Sequence, residues 1–256
     1  MHMNDKRTKI ISFLQEYLDV YGEEVYIDPH KIKNLNLSRQ EDKKIPPAVD
    51  EKPTLPPLRK EESREEKPDT PLWNYMQEIS DCTKCPLGYT RTKFVFGEGS
   101  ENADIMFIGE APGREEDRTG IPFVGRAGQL LNKLLAGIHI RREEVFIANI
   151  LKCRPPNNRD PQASEVQECI PYLHRQIELI QPKVIVALGR IAAQNLLNNT
   201  SSLKQMRERL WQYQGVNMIV TYHPAAILRN MGLLSTATQD FKFIYKTYQQ
   251  VSKQNT

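Results

Sequence analysis

The sequence predicts an α/β fold: a three-layer α/β/α sandwich around a central, mostly parallel sheet of four strands. Two observations support this prediction. Four short apolar runs rich in isoleucine and valine occur after residue 100, and such runs suit strands that are buried on both faces of a parallel sheet. Helical patterns separate these runs, and this alternation is typical of a doubly wound sheet with helices on both sides.

The elements can be assigned in chain order. The predicted strands are ADIMFIGE, EVFIANI, KVIVALG and NMIVTYH. The predicted helices are LWNYMQEIS, which precedes the first strand, and then AGQLLNKLLAGI, SEVQECIPYLHRQIELI and RIAAQNLLNN. Each of the last three helices lies between two successive predicted strands.

The chain is predicted to have four parts. We expect residues 1–38 to be an N-terminal helical extension, residues 39–71 a flexible, charged and proline-rich linker, residues 72–250 the α/β domain, and residues 251–256 a tail. The linker contains few large apolar side chains, so it cannot bury enough surface to order itself.

The N-terminal extension carries apolar residues at helical spacing within TKIISFLQEYLDVYGEEV. One helix is too small to fold alone. Two roles therefore stay open for it: packing on the α/β domain of its own chain, or docking a protein partner at the end of the linker. The residues at helical spacing are Ile10, Ile11, Leu14, Tyr17, Leu18 and Tyr21.

Composition narrows the function classes. The formal net charge of +3 permits a nucleic-acid partner without requiring one, because a local basic face matters more than the total. No apolar run approaches the length needed to cross a bilayer, and the polar start MHMNDKRTK does not resemble a secretory signal. A cytoplasmic protein without a membrane partner is expected. In that compartment a stable disulfide is not expected, which favours metal ligation by the cysteines.

Polar side chains follow the four predicted strands. Glu110 and Ala111 in GEAPG follow the first strand, Asn149 the second, Arg190 the third and His223 the fourth. Ligands of an open parallel sheet bind beyond the carboxyl ends of its strands. A carboxylate, an amide, a guanidinium and an imidazole are therefore predicted to meet at one edge of the sheet.

The run GEAPGREEDRTG does not match a nucleotide-binding loop. It lacks the G-x-G-x-x-G spacing, and no G-K-[ST] follows it. Pro112 also removes an N–H donor that a phosphate-binding turn needs. A tight loop that brings backbone close to a small planar ligand fits this run better.

Each candidate side chain has a structural alternative. A buried asparagine such as Asn149 often satisfies only loop backbone, but its amide also matches the imide edge of a pyrimidine. Phe123, which follows Gly-Ile-Pro in a loop, either joins the core or stacks on a base. His223 either bonds to backbone or donates to a developing anion.

The chain has four cysteines: Cys82 and Cys85 form a C-x2-C pair, and Cys153 and Cys169 lie far downstream. A C-x2-C pair is common to zinc and iron–sulfur sites, so its spacing does not separate them. The two downstream cysteines alone would be ordinary core residues. The position of Cys153, four residues after Asn149, favours a four-ligand site.

Four stretches together resemble the family 4 uracil-DNA glycosylases, the iron–sulfur type of bacteria and archaea. They are CTKCPL, FGEGSENADIMFIGEAPGREEDRTGIPFVGRAGQLL, ANILKCRPPNNR and TYHPAAILRN. The resemblance covers about Leu72 to Tyr248 and leaves out the first seventy residues. It implies a uracil-DNA glycosylase-like sandwich, uracil-containing DNA as partner, and a DNA repair enzyme that hydrolyses the N-glycosidic bond of uracil.

The resemblance also implies residue roles. A [4Fe–4S] cluster is expected on the four cysteines. Uracil would be bound by Glu110 and Ala111, by Phe123 stacking on the ring, by Asn149 at its polar edge, and by His223, which would also donate to uracil O2 during catalysis. Family 1 enzymes place water with an aspartate in the first motif, and GEAPG has none, so Glu116 or Asp117 is the expected substitute, with Glu116 preferred as the catalytic residue.

DNA contacts are predicted from arginines near these motifs, because phosphate binding must offset the cost of flipping the nucleotide. The preferred candidates are Arg126, Arg154, Arg159 and Arg229, with Arg91, Lys93 and Arg190 as further ones. We expect a monomer that acts on single- or double-stranded DNA and leaves an abasic site. A non-catalytic DNA-binding or polymerase-associated iron–sulfur module, and an electron-transfer protein, are the alternatives.

Overall fold

The computed structural model describes residues 69–254. The predicted N-terminal extension and all but the last three residues of the predicted linker lie outside this part of the chain. The strands are β1 (Glu98–Gly99), β2 (Ile105–Gly109), β3 (Phe146–Asn149), β4 (Val184–Leu188), β5 (Trp211–Tyr213) and β6 (Val216–Thr221). The α-helices are α1 (Pro71–Ile79), α2 (Arg114–Thr119), α3 (Arg126–Ala136), α4 (Ala163–Ile180), α5 (Arg190–Leu197), α6 (Leu203–Met206), α7 (Pro224–Arg229) and α8 (Leu234–Gln254).

One sheet with the strand order β1-β3-β2-β4-β6-β5 forms the centre of the domain. The four predicted strands are its four central strands, and they are parallel to one another. The α/β class is therefore confirmed. The register pairs Gly109 with Asn149 and Leu188 with Thr221, which brings the carboxyl ends of the four strands to the same edge.

The predicted number of strands was too low, because two short edge strands complete the sheet. β1 pairs antiparallel with β3, and β5 pairs antiparallel with β6. Strands of two and three residues are too short to show an alternating pattern. β5 and β6 are joined by Gln214 and Gly215, which both have positive φ, as a tight hairpin turn requires.

Alternate residues of the buried strands face two separate apolar layers. In β2, Met106 and Ile108 pack with α1, α4 and α5, whereas Ile105 and Phe107 pack with α3 and α8. This is the period of two that a strand buried on both faces must have. The result is the predicted three-layer sandwich, with a core on each side of the sheet.

Four helices were not predicted. α2, α6 and α7 are at most six residues long. The long helix α8 runs to Gln254, so residues 251–254 of the predicted tail are helical. Its buried residues Ala237, Phe241 and Ile244 follow helical spacing, and the Phe241 ring stacks on Phe107 at 5.8 Å. Among residues 69–254, no helix combines the length and apolar content that crossing a bilayer requires.

Candidate active site and cysteine site

A cavity of about 550 Å³ opens at the carboxyl edge of the sheet. Its lining includes the residues that follow the four central strands: Glu110, Asn149, Arg190 and His223. The prediction that these side chains meet is confirmed. Phe123 and Glu116, from the segment between β2 and α3, complete the wall.

Asn149 and Phe123 approach each other across Gly109. A Cβ atom at Gly109 would lie 2.4 Å from Asn149 Oδ1 and 2.7 Å from Phe123 Cζ. Only glycine therefore allows the amide and the ring to stand side by side at the end of β2. Phe123 has a φ of 51°, so the loop presents this side chain from a left-handed backbone conformation.

The Asn149 side chain is 1% exposed, and its Oδ1 has no hydrogen-bond partner among the described residues. Nearly all buried polar side-chain atoms in folded proteins have a partner. An amide oxygen without a protein partner in the lining of a cavity is available to a ligand that supplies a hydrogen-bond donor.

His223 precedes α7, and its ring lies 5.5 Å from the Phe123 ring. Its Nδ1 accepts a hydrogen bond of 3.1 Å from the Ala225 backbone N–H, so in the neutral ring the proton is on Nε2. Burial lowers the pKa of His223 to about 4, and the nearby positive charge of Arg229 acts in the same direction. At neutral pH this imidazole is uncharged and offers one N–H.

Glu116 and Asp117 are the two predicted candidates for positioning water, and they differ in their position relative to the cavity. Glu116 lines the cavity, and its Oε1 accepts hydrogen bonds of 3.0 Å from the backbone N–H groups of Val124 and Gly125. Asp117 is buried and accepts a hydrogen bond of 2.9 Å from the Thr92 backbone N–H, and it does not line the cavity.

Glu110 is a second carboxyl group in the same cavity. Burial raises the pKa of Glu110 to about 7, and the negative charge of Asp160 adds to this, whereas Arg190 opposes it. Glu110 is thus partly protonated near neutral pH and can donate as well as accept a hydrogen bond.

The predicted DNA-contacting arginines fall into two groups. Arg159, Arg190 and Arg229 line the cavity, whereas Arg126 and Arg154 do not. Arg159 also forms an ion pair within the protein, because two of its nitrogens donate to the buried carboxylate of Glu165 at 2.5 and 2.9 Å.

Arg91 lies elsewhere, next to the cysteines. It donates to the Ser80 carbonyl at 2.9 Å and to Cys153 Sγ at 3.4 Å, so its guanidinium belongs to the cysteine site. A role for Arg91 as a DNA phosphate contact stays a prediction. The sequence places it only six residues after Cys85, which does not reveal the contact.

All four cysteines are free, and they line one small cavity. Three of the sulfurs accept hydrogen bonds from neighbours: Cys153 from Arg91, Cys169 from the Lys152 backbone N–H at 3.3 Å, and Cys82 from the Tyr172 hydroxyl at 3.0 Å. As the side chains stand, no group of three or more histidine, cysteine, aspartate or glutamate residues within 69–254 is arranged to hold a single metal ion.

The thiols of the cysteine site are protonated unless a metal binds them. Burial raises the pKa of Cys169 to about 12 and also raises the pKa of Cys153. Free thiols there would stay protonated, whereas a coordinated metal deprotonates a thiol outright. Four sulfurs, the positive charge of Arg91 and hydrogen bonds to sulfur together form a donor set that suits an anionic metal–sulfur group.

Lys152 is a residue of this region that the motifs did not single out. It is 0% exposed and lies between the cysteine site and Asn149. The signal was present in the sequence as a lysine within the apolar run ANILKC. A lysine in such a run is rarely fully buried unless it has a specific partner.

Comparison with known proteins agrees with this fold. Residues 96–249 match the family model of the uracil DNA glycosylase superfamily. The matched region contains the central sheet and the cavity at its edge, so the fold and the cavity together define a protein of this class.

The relatives narrow the class. The chain is 48% identical over 181 residues to the type-4 uracil-DNA glycosylase of Archaeoglobus fulgidus, a match covering 68% of this chain and 91% of the relative. It is 48% identical to the type-4 enzyme of Sulfurisphaera tokodaii, over 66% and 80% of the two chains, and 47% identical to that of Thermotoga maritima, over 60% and 81%. The chain belongs to the type-4 uracil-DNA glycosylase family.

Proposed function

We propose that this chain is a DNA repair enzyme that hydrolyses the N-glycosidic bond of uracil in DNA. It releases free uracil and leaves an abasic site, with water as the nucleophile. The observation that carries this proposal is the unpaired Asn149 Oδ1 in a cavity walled by Phe123 and His223. The family of the chain supports the same activity.

Base recognition follows from the chemistry of the amide. Asn149 Oδ1 accepts from the N3–H of uracil, and the amide nitrogen donates to uracil O4. Cytosine carries an acceptor at N3 and a donor at N4, so it meets the amide with both groups mismatched. The Phe123 ring provides a stacking face, and the target nucleotide must leave the duplex to reach it.

Bond cleavage leaves negative charge on the uracil ring and positive character on the sugar. His223 is neutral, with the proton on Nε2, so it donates a hydrogen bond to O2 as charge develops there. One such preorganised donor is worth roughly 3–4 kcal/mol of barrier in other enzymes. Glu116, which is fixed by two backbone N–H groups, orients or deprotonates the attacking water.

The four cysteines are proposed to hold a [4Fe–4S] cluster. The four free sulfurs around one cavity, with cationic and hydrogen-bond donors beside them, support this assignment. When bound, the cluster supplies a rigid, anionic anchor. Cys153 then fixes the start of the segment CRPPNNR, which leads to Arg159 at the cavity.

DNA binding is proposed to use Arg229 and Arg190 at the cavity, with Arg126 and Arg154 further out as phosphate contacts. Arg159 is held by Glu165, and this supports a shared role in which it shapes the loop and contributes its positive charge. A protein partner for the N-terminal extension remains a prediction, because that segment lies outside the described residues.

The direct test is incubation of the protein with an oligonucleotide that contains one uracil, followed by alkali. A glycosylase produces a break at the uracil position, whereas a DNA-binding module or an electron-transfer protein leaves the strand intact. The same oligonucleotide with thymine in place of uracil is the control. An intact uracil strand at protein excess would refute the proposed function.

The two carboxylates give a matched pair of variants. Glu116→Gln keeps an oxygen for the Val124 and Gly125 N–H groups and removes the negative charge, so uracil release should slow by about 10²-fold or more. Asp117→Asn keeps an acceptor for the Thr92 N–H and should release uracil at close to the parental rate. Single-turnover rates measure both. The reverse ranking would assign the water to Asp117.

A further inference from the structure

A fully buried lysine joins the cysteine site to the base-recognition residue. Lys152 Nζ donates to the Asn149 carbonyl oxygen at 2.9 Å and to Gln176 Oε1 at 2.6 Å. Gln176 is also 0% exposed, and its Nε2 donates to the Phe96 carbonyl at 2.9 Å. That second bond fixes the orientation of the Gln176 amide, so its oxygen must face Lys152.

Both hydrogen-bond partners of Lys152 are neutral. No carboxylate within residues 69–254 forms an ion pair with its ammonium group, and the ionisable groups that act on it are Cys169 and Cys153. A buried charge without a counter-charge is strongly unfavourable. The groups placed to offset this charge are Cys169 and Cys153, whose thiolates would be anionic when they hold a metal cluster.

One face of α4 contacts both the cysteine site and Lys152. Cys169, Tyr172 and Gln176 follow the spacing of three and four residues that places side chains on the same face. Cys169 belongs to the cysteine site, Tyr172 donates to the sulfur of Cys82, and Gln176 binds Lys152. The helix thus sets the position of the ammonium relative to the sulfurs.

The Asn149 backbone is held from two sides. On the β2 side, Ile150 N–H donates to the Gly109 carbonyl and Leu151 N–H to the Glu110 carbonyl, both at 3.0 Å. On the other side, the Asn149 carbonyl accepts from Lys152. This peptide plane sets the direction of the Asn149 side chain, whose Oδ1 is the unpaired acceptor in the cavity.

We propose that Lys152 is a positioning residue for base recognition: its side-chain nitrogen, fixed by Gln176, holds the Asn149 backbone carbonyl and thereby keeps the Asn149 amide at the uracil edge. The proposal rests on the proposed function, because it assigns a role to a residue behind the same cavity. Lys152 does not touch the base, so its effect is on binding geometry.

Arg91 provides a matched control. It is also a cation beside the cysteines, and it bonds to Cys153 Sγ, but its other hydrogen bonds go to the Ser80 and Cys82 carbonyls, far in the chain from Asn149. Arg91→Met and Lys152→Met each remove one positive charge from the surroundings of the cysteines. Only Lys152→Met also removes the donor to Asn149.

The experiment compares the full-length, iron-containing parent with these two variants. Iron content is measured first, then the midpoint potential by voltammetry and the affinity for free uracil by calorimetry. Both variants should shift the potential to more negative values, because loss of a nearby positive charge disfavours reduction. Only Lys152→Met should weaken uracil binding, by roughly tenfold, which is the size of one hydrogen bond to a charged group. In excision assays its KM should rise more than its kcat falls.

Two outcomes overturn the proposal. One is a Lys152→Met protein with full iron and parental affinity for uracil. The other is an equal loss of affinity in both variants, because that loss would come from the cysteine site as a whole. A parent that neither binds nor releases uracil would instead refute the proposed function, and the potential shift would still report the charge link.

Gln176→Met decides the question if Lys152→Met fails to fold or loses iron. It removes the far anchor of the ammonium without altering Asn149 or a cysteine. Full iron and a several-fold weaker affinity for uracil support the proposal. Parental affinity overturns it, and so does loss of fold or iron in this variant, because the cysteine site should survive without this bond.

Discussion

Replacing His223 with alanine should slow uracil release by about 10²–10³-fold at pH 7. The substitution removes the single N–H donor of the neutral imidazole. The hydrogen bond from this donor to uracil O2 strengthens only as negative charge grows on that oxygen. Free uracil carries little charge at this oxygen, so its affinity should change much less than the rate. A single-turnover assay on uracil-containing DNA, combined with calorimetry on free uracil, measures the two effects.

Alanine also removes the acceptor for the Ala225 N–H at the start of α7. His223→Asn controls for this loss, since asparagine is a favoured residue at that position and can accept the same bond. If the missing Nε2–H is the cause, the asparagine variant will be as slow as the alanine variant. Parental rates in His223→Ala would exclude the assigned role.

The central strands could be predicted from the sequence because burial on both faces of a sheet leaves a recognisable apolar pattern. Strands buried on both faces of the sheet are mostly apolar, and the central strands show this: β2, β3 and β4 are buried throughout and β6 over its last four residues. The edge strands β1 and β5 are too short to carry a period. Helix α8 was not predicted, although Phe241 and Ile244 give it an apolar face.

The candidate site was predictable to the extent that it depends on strand ends. Asn149 and His223 meet because parallel strands bring their carboxyl ends together, and this needs no knowledge of side-chain direction. Glu116 and Asp117 are neighbours on one short helix, so which of them faces the cavity depends on the helix orientation. The sequence does not encode that choice in any local pattern.

The cysteine site, too, was predicted only in part from the sequence. The C-x2-C pair indicated a metal site, yet its electrostatic partners come from three separate segments: Arg91, Lys152 and Tyr172. None of these positions is marked by spacing to a cysteine that a motif would require. Such partners emerge only when β3 and α4 pack against the loop that carries Cys82 and Cys85.

The second large effect is expected from Asn149→Asp. The substitution preserves size, so the close packing against Gly109 and Phe123 is kept. The carboxylate has no donor for uracil O4 and repels this oxygen. Loss of the donor and the introduced repulsion should reduce uracil release by about 10²-fold or more, in the range found when a site's hydrogen bonds to its substrate are mismatched.

The same carboxyl group suits cytosine, which offers an N4–H donor, and in its protonated form it can donate to cytosine N3. We therefore expect Asn149→Asp to gain slow release of cytosine, measured on single-stranded DNA so that the base need not leave a stable pair. Asn149→Ala is the control: it loses the uracil contacts without creating a cytosine match, so it should release neither base efficiently. An aspartate variant with parental uracil release and no cytosine release would remove Asn149 from recognition.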